Sequence, residues 1–266
     1  MTVDILICTF NKGIVRVGDI LLPKNENIRY VVSFQYTDER YTKLIPESLT
    51  MRDDVVLSQY KGKGLSANRN HALNLATSDL VVFADDDARF SEKSIGQGVA
   101  VFEKNPDVDI AFFQASTYTG RPLKEYPKES YQLKDTRFKI SIIEMVARRE
   151  KTQGVLRFDE RFGLGAPFLT CGEEEVWLKD AFDKGLKIFY YPINIVETSM
   201  LLQDKLIYIN AGVQRSFGAV SYYLYGNKAW WLCLAYAWKA AAARMSHFVP
   251  MLKHFYQGIS YVRHTK

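Results

Sequence analysis

Three consecutive aspartates are the feature of this 266-residue sequence with the clearest chemical meaning. Asp85, Asp86 and Asp87 directly follow the apolar run 80–84. Neighbouring carboxylates repel one another unless they share a cation, and hard ions such as Mg2+ and Mn2+ bind carboxylate and phosphate oxygens. Side chains alternate along a strand, so Asp85 and Asp87 are predicted to point to the same side. An acidic run can also be a solvated turn or a helix cap, but its position at a strand end favours a metal and diphosphate site.

Two other polar groups stand where they could contribute to chemistry. The glutamate cluster 173–175 opens a predicted helix over about residues 174–184. A cluster of this kind can be simply the acidic first turn that the helix dipole favours. Arg69 and Asn70 lie near the start of a predicted helix over 65–76, where they could bind a ligand or lie on its solvated face.

Short apolar runs alternate with amphipathic stretches in the first part of the chain. This alternation is typical of βαβ units and predicts an α/β fold with a mostly parallel sheet flanked by helices. Ligands of such sheets bind beyond the carboxyl ends of the strands, so the residues after Cys8 and Ala84 are the predicted site. The polar stretch 117–135 is predicted to be a loop or flap. The apolar runs lie at residues 3–8, 28–34, 55–57, 80–84 and 110–113.

The composition excludes several classes of protein. An apolar share of 47% is ordinary for a globular chain and argues against disorder. Cys8, Cys171 and Cys233 are widely spaced and have no histidines at metal-binding intervals, which argues against a disulfide framework and a zinc site. The first residues read as a strand and have none of the regions of a signal peptide, so we expect a cytoplasmic location.

The charge is divided unevenly along the sequence. The last acidic residue is Asp204, and residues 205–266 contain eight Lys or Arg and thirteen aromatic residues. This mixture predicts a helical extension that associates peripherally with an anionic membrane surface, on the inner face of the cell membrane. Its apolar run 229–238 is far shorter than the roughly 20 residues needed to span a bilayer. Nucleic-acid binding ranks lower because the aromatic residues accompany an aliphatic helix. Packing against the rest of the chain, or a homo-oligomer interface, is a third alternative.

Several short motifs occur in a characteristic order. They are CTFNK at residues 8–12, GLSANRN at 64–70, FADDD at 83–87, FDERFG at 158–163 and GEEE at 172–175. Together they resemble family 2 of the inverting glycosyltransferases, which have the Rossmann-like glycosyltransferase A fold. The resemblance covers about residues 3–197. It implies that the chain transfers a sugar from a nucleotide diphosphate donor with the help of Mn2+ or Mg2+.

The resemblance also assigns site residues near the carboxyl ends of the first strands. Many relatives read the base with an Asp-rich turn after the second strand, whereas this sequence has VSFQY at 32–36, which leaves Ser33 or Gln35 for that role. The implied residues are Thr9, Phe10 and Asn11 beside the base, Gly64 and Arg69 at the nucleotide, Asp85 and Asp86 at the nucleotide sugar, and Asp87 with Asp85 at the metal.

The GEEE motif places the base that activates the acceptor at Glu174, with Glu173 as the neighbouring candidate. Relatives often have a histidine metal ligand after the late Pro-containing strand. The stretch 195–199 has none, which leaves Glu197 or solvent for that position.

These observations predict two parts of the chain: a catalytic domain over residues 1–202 and a basic, aromatic, membrane-associating helical extension over 203–266. The function that the resemblance implies is an inverting transfer of a hexose-type sugar from a UDP-linked donor to a lipid-linked or polysaccharide-precursor acceptor of bacterial polysaccharide assembly. A nucleotidyltransferase of similar fold is disfavoured because the first strand lacks a Gly-rich phosphate loop. The other alternative is a catalytically silent, membrane-bound scaffold.

Overall fold

A computed structural model describes residues 1–199 and 205–265. Helices accompany an eight-stranded sheet, which confirms the predicted α/β class. The strands are β1 (Val3–Phe10), β2 (Ile28–Tyr36), β3 (Val55–Lys61), β4 (Leu80–Asp85), β5 (Ile110–Thr117), β6 (Tyr131–Gln132), β7 (Met145–Arg148) and β8 (Ile188–Thr198). The α-helices are α1 (Ile14–Val17), α2 (Glu47–Thr50), α3 (Leu65–Asn74), α4 (Glu92–Lys104), α5 (Arg149–Thr152), α6 (Glu173–Asp183), α7 (Leu206–Ile209), α8 (Ala211–Tyr225), α9 (Lys228–Ala242) and α10 (Phe248–His264). Short 3-10 helices occupy Asn11–Gly13, Gly18–Ile20, Glu39–Leu44 and Ile142–Glu144.

The sheet is mostly parallel, as predicted. Its strand order is β3-β2-β1-β4-β7-β5-β8-β6, with β1 parallel to β2 and β4, and β5 parallel to β8. The short strand β7 lies between β4 and β5 and runs antiparallel to both. Strands β1 and β4 are buried along almost their whole length, which explains why both are nearly continuous apolar runs.

One buried carboxylate ties the amino ends of these strands together. Asp4 is fully buried and accepts hydrogen bonds from the Arg29 Nε atom at 2.7 Å and the Ser78 hydroxyl at 2.7 Å. The backbone N–H groups of Thr77 and Ser78 also donate to it. Burial alone would raise the pKa of Asp4, but these hydrogen bonds outweigh that effect and lower it. This network holds β1, β2 and β4 in the register that aligns Cys8 with Asp85 at their other end.

The chain divides into two compact units. The first comprises Met1–Lys63, Ala67–Arg157 and 180–199, and it contains the sheet. The second comprises Gly64–Ser66, Phe158–Lys179 and 205–265. The predicted boundary between residues 202 and 203 lies outside the described residues, and the roles predicted for the two parts stay predictions.

In the second unit, α8 and α10 cross at two glycines. A Cβ atom on Gly218 would lie 2.1 Å from the carbonyl oxygen of Phe255, and one on Gly258 would lie 1.8 Å from the carbonyl oxygen of Arg215. The backbones can approach this closely only where neither helix has a side chain. Helix α9 completes the cluster, whose buried members are Ala229, Cys233, Ala237, Ala240, Met251, Phe255 and Ile259.

The helices of the second unit are nevertheless short for a bilayer. Across residues 1–199 and 205–265, no helix has the combination of length and apolarity that crossing a membrane requires.

The crossing of α8 and α10 predicts a large cost for one added methyl group. We expect Gly218→Ala to lower the free energy of unfolding by about 1–3 kcal/mol or more, because the new atom overlaps backbone that cannot rotate away. Urea denaturation measures this change. The matched control is Gly96→Ala in α4, where a Cβ atom meets nothing within 4 Å. That substitution should raise stability by about 0.5–1 kcal/mol because alanine is the better helix former. Equal stability of Gly218→Ala and the wild type would contradict this account of the crossing.

Candidate active site

The predicted site residues of the first unit gather at the carboxyl ends of β1 and β4. These strands are parallel neighbours, with Cys8 aligned to Asp85. The chain continues beyond β1 into Asn11 and beyond β4 into Asp86 and Asp87. Both polar segments therefore leave the sheet side by side, as the rule for open α/β sheets predicts.

Asp86 is held by two side chains that precede it by some seventy residues in the chain. Its carboxylate accepts a short hydrogen bond from the guanidinium of Arg16 and a 3.2 Å hydrogen bond from the hydroxyl of Thr9. Burial raises the pKa of Asp86, although the charge of Arg16 and the bond from Thr9 oppose the rise. Gly13 makes room for this arrangement, because a Cβ atom there would lie 1.8 Å from the Asp86 carboxylate.

Neither Gly13 nor Arg16 was among the predicted site residues. The signal that could have found them is their position: both follow the CTFNK motif within one short helical stretch beyond β1. A glycine directly after a strand-end motif marks a place where another group approaches the backbone closely. The residue type of Arg16 gives no comparable indication, because a single arginine on a short helix is most often a solvated side chain.

Asp85 faces a buried cation. The Arg69 guanidinium lies 3.9 Å from a carboxylate oxygen of Asp85, and the Arg69 residue is only 3% exposed. Asn70 is also buried, so the alternative in which both residues lie on the solvated face of α3 is wrong. Burial raises the pKa of the adjacent Cys8 thiol to about 12, which leaves that side chain uncharged and unreactive at neutral pH.

Asp87 has partners in the residues that directly follow two other strands, β8 and β5. Its carboxylate accepts a short hydrogen bond from the Ser199 hydroxyl, and its main-chain carbonyl accepts one from the Tyr118 hydroxyl. Glu197, the predicted substitute for a histidine ligand, is exposed and pairs through its backbone with Arg89. The residue of this stretch that contacts an aspartate of the triplet is therefore Ser199.

The turn that follows β1 exposes an aromatic ring. Phe10 is 39% exposed at the end of the strand, beside the left-handed residue Asn11, whose φ is 50°. The Asn11 side-chain oxygen accepts the backbone N–H of Thr37 at 2.9 Å, and its nitrogen donates to the Thr37 hydroxyl at 3.2 Å. These bonds fix the turn against the end of β2 and leave the Phe10 ring open to a flat ligand.

The two residues proposed to replace the base-reading turn are buried and hydrogen bonded. Gln35 donates to the Tyr60 hydroxyl at 2.7 Å, and Ser33 donates to the side-chain oxygen of Asn68. Asn68 in turn donates to the main-chain carbonyl of Thr9 at 3.1 Å. Sequence analysis missed Asn68 and Tyr60, which join β2, β3 and α3 below the turn. Which of these side chains reads a base stays a prediction.

The remaining predicted residues belong to the second unit. Glu173 begins α6 and is buried, with its carboxyl group 3.2 Å from where a Cβ atom of Gly163 would lie. Gly163 has a φ of 105°, so the FDERFG turn both needs glycine there and leaves space for Glu173. Glu174 is half-buried, and Gly64, with a φ of 135°, precedes α3. The structure thus separates the predicted residues by unit: Gly64, Glu173 and Glu174 belong to the second unit, and the others belong to the first.

The metal prediction depends on Asp85 and Asp87. Among the described residues, no group of three or more His, Cys, Asp or Glu side chains could hold a metal ion. Two half-buried carboxylates nonetheless suit Mg2+ or Mn2+, which commonly use one or two protein carboxylates and take their other ligands from phosphate and water. The donor set fits the ion, and metal dependence stays a prediction.

A cavity of 810 Å3 lies elsewhere in the first unit, along the loop around β6. It contains none of the predicted site residues. Its lining is Lys124, Glu125, Pro127, Tyr131, Gln132, Leu133, Lys134, Asp135, Arg137, Phe138 and Lys139.

Comparison with known proteins agrees with this geometry. Residues 36–163 match the family model described as glycosyl transferase family 2. Over these residues, about half of its length, the chain is similar to this family of glycosyltransferases. The matched range includes GLSANRN, FADDD and FDERFG, which are three of the five motifs that first indicated the family.

Proteins similar to this chain include a glucosyl-dolichyl phosphate glucuronosyltransferase of Haloferax volcanii. The two sequences are 26% identical over 140 residues, which is 50% of this chain and 44% of the relative. The chain therefore aligns with less than half of that protein.

Solved structures extend the similarity to nearly the whole chain. TarS 1-349 of S. aureus superimposes with a TM-score of 0.60 at 13% identity, covering 99% of this chain and 91% of TarS. The complex of TarS 1-349 with UDP-GlcNAc gives 0.57 at 13% identity, covering 99% and 92%. At this identity the comparison shows the fold alone, and it confirms the predicted glycosyltransferase A fold.

The environment of Asp86 predicts an unusual effect of pH on stability. Because its pKa is raised in the folded protein, its favourable contribution is present below the unfolded pKa and is lost as pH rises through the folded pKa. We therefore expect Asp86→Asn to be more stable than the wild type at pH 7, with a difference that shrinks towards pH 4. Thermal unfolding across this range measures it. The control Asp53→Asn removes an exposed carboxylate paired with Lys24 and should gain nothing. A wild type more stable than Asp86→Asn at pH 7 would refute the prediction.

Proposed function

We propose that this family 2 glycosyltransferase moves a hexose-type sugar from a UDP-linked donor to a lipid-linked or polysaccharide-precursor acceptor, with inversion at the anomeric carbon. The observation that carries the proposal is the meeting of the aspartate triplet, Arg69 and the turn after β1 at one end of the sheet. The names of similar proteins support the donor class: the H. volcanii relative is a glucuronosyltransferase, and TarS has been crystallised with UDP and with UDP-GlcNAc.

In this proposal the residues after β1 and β4 bind the donor. The exposed ring of Phe10 stacks on the base, and Asn11 holds the turn in place through Thr37. Arg69 sits beside Asp85, where its buried positive charge attracts the diphosphate and limits repulsion within the triplet. Asp86 is occupied by Arg16 and Thr9, so its role is to shape the pocket next to the nucleotide sugar.

Asp87 and Asp85 would hold the divalent ion, Mn2+ or Mg2+. The ion supplies Lewis-acid stabilisation of the negative charge on the departing diphosphate. Ser199 orients the Asp87 carboxylate by donating a hydrogen bond to it. A carboxylate whose rotamer is fixed in advance needs less reorganisation to bind a cation.

The proposed base is Glu174. The acceptor hydroxyl gives its proton to the carboxylate as its oxygen bonds to the anomeric carbon, and the bond to the diphosphate breaks with its electron pair leaving on the diphosphate. Glu174 is half-buried in the first turn of α6, so it retains access to an incoming hydroxyl. Glu173 is buried against the FDERFG turn, which favours a supporting role for it.

The basic segment after residue 204 supports a further part of the proposal, association with an anionic membrane surface where a lipid-linked acceptor would be found. Two other functions lose support. A nucleotidyltransferase is disfavoured by the family match, and a silent scaffold would keep the same fold but would not turn over any donor.

The proposed activity is tested with a panel of nucleotide sugars and lipid-linked acceptors in the presence of Mn2+, followed by mass spectrometry. We expect transfer from a UDP-sugar, and at least about a hundredfold loss in Asp87→Ala because the leaving diphosphate is no longer stabilised. Asp53→Ala, which removes an exposed carboxylate far along the chain from the triplet, should keep full activity. If the wild type turns over no donor, the scaffold is the better description.

The base assignment is tested by removing one proton acceptor. We expect Glu174→Gln to bind UDP as tightly as the wild type but to lose transfer by at least about a hundredfold, since a general base contributes 10²–10⁴ in rate. Isothermal titration calorimetry and turnover assays separate the two effects. Glu175→Gln is the matched control, because that neighbour on the same turn is exposed. Wild-type turnover in Glu174→Gln combined with a loss in Glu173→Gln would move the base to Glu173.

A further inference from the structure

Helix α9 has two faces of opposite character. Ala229, Cys233, Ala237 and Ala240 are buried in the core of the second unit. The opposite side, here called the α9 face, spans an arc of about 120° at 3.6 residues per turn. It consists of Lys228, Trp231, Leu232, Ala235, Trp238 and Lys239, all of which are exposed.

The tryptophans of the α9 face are unusually exposed for their size. Trp231 is 75% exposed and Trp238 is 69% exposed, and they lie seven residues apart on one stripe. Trp230, by contrast, packs against Tyr256 with ring centroids 4.7 Å apart. Two large aromatic side chains exposed to water about two turns apart on one stripe mark an interaction site.

The apolar surface continues where α9 ends. Ile209 and Met245 are 79% and 45% exposed, and both line a cavity of 600 Å3 at the connection between α9 and α10. The same cavity is lined by Arg244 and His247. An apolar rim around basic side chains suits a ligand that is apolar at one end and anionic at the other.

We propose that the α9 face lies in the headgroup region of an anionic lipid bilayer, with Trp231 and Trp238 inserted and with Lys228 and Lys239 beside lipid phosphates. Tryptophan prefers this region, and lysine at the surface contributes about 1 kcal/mol each. The inference rests on the proposed function, since a lipid-linked acceptor would lie at the same surface.

Charge decides between a bilayer and a second copy of the chain. Residues 205–266 contain eight Lys or Arg and no Asp or Glu. A symmetric contact through the α9 face would bring Lys228 and Lys239 of both copies together without a carboxylate from this segment to neutralise them. The phosphates of an anionic bilayer would neutralise both Lys228 and Lys239.

The test is co-sedimentation of the full chain with vesicles of phosphatidylglycerol and phosphatidylcholine. We expect the double variant Trp231→Ala and Trp238→Ala to bind at least about tenfold more weakly, because it loses both interfacial anchors. Lys228→Gln and Lys239→Gln should each weaken binding about fivefold, an effect that high salt removes. Met51→Ser is the matched control: Met51 is 80% exposed but belongs to the first unit, and its variant should bind like the wild type.

Two results would overturn the proposal. One is equal vesicle binding by the wild type and the double tryptophan variant. The other is a wild-type dimer in analytical ultracentrifugation that the double variant converts to a monomer, since the α9 face would then be a homodimer interface. UDP-sugar turnover without vesicles is measured in parallel. If the wild type binds vesicles but turns over no UDP-sugar, the proposed transferase activity is refuted and the proposed membrane contact of the α9 face is not.

Discussion

Repulsion among three adjacent carboxylates is the constraint around which the candidate site is built. The fold reduces this repulsion by giving each carboxylate a different partner. Asp86 forms an ion pair with Arg16, Asp85 lies beside Arg69, and Asp87 accepts a hydrogen bond from the Ser199 hydroxyl. These partners come from three distant parts of the chain, so the arrangement of the triplet depends on the register of the sheet. At the far end of β1 and β4, the buried Asp4 network fixes that register. Asp87 alone of the three has no arginine among its described contacts, which agrees with its proposed role toward an external cation.

Much of the first unit could be predicted from the sequence because the central strands β1 and β4 are buried on both faces. Burial makes β1 and β4 continuous apolar runs, and the aspartates that interrupt the second run mark its end. Strand β7 could not be foreseen, since four residues of ordinary composition carry no directional signal. The same limit applies to Arg16 and Asn68. Their importance comes from long-range neighbours, which the local sequence does not report, even though Asn68 lies within the GLSANRN motif.

The two units were harder to foresee than the site. The motifs FDERFG and GEEE continue the order of the catalytic motifs, which suggests one continuous domain. In the structure, however, residues 158–179 pack with the helices near the carboxyl end of the chain: Phe162, Leu169 and Val176 form one buried cluster with Ala219. Sequence periodicity reports which face of an element is buried and does not report which distant element covers it. The match to the family model ends at residue 163, within the second unit, whereas the fold similarity reaches 99% of the chain.

That shared cluster has a consequence for how such enzymes can diverge. Gly172 can accept no side chain, because a Cβ atom there would lie 2.4 Å from Val220 of α8. The turn at Gly172, which leads into the glutamates 173–175, therefore packs tightly against the carboxyl-terminal helices. Those helices cannot be exchanged between relatives as an independent cassette, and a lineage that adapts them to a new surface must do so on their outward faces while conserving the inward ones.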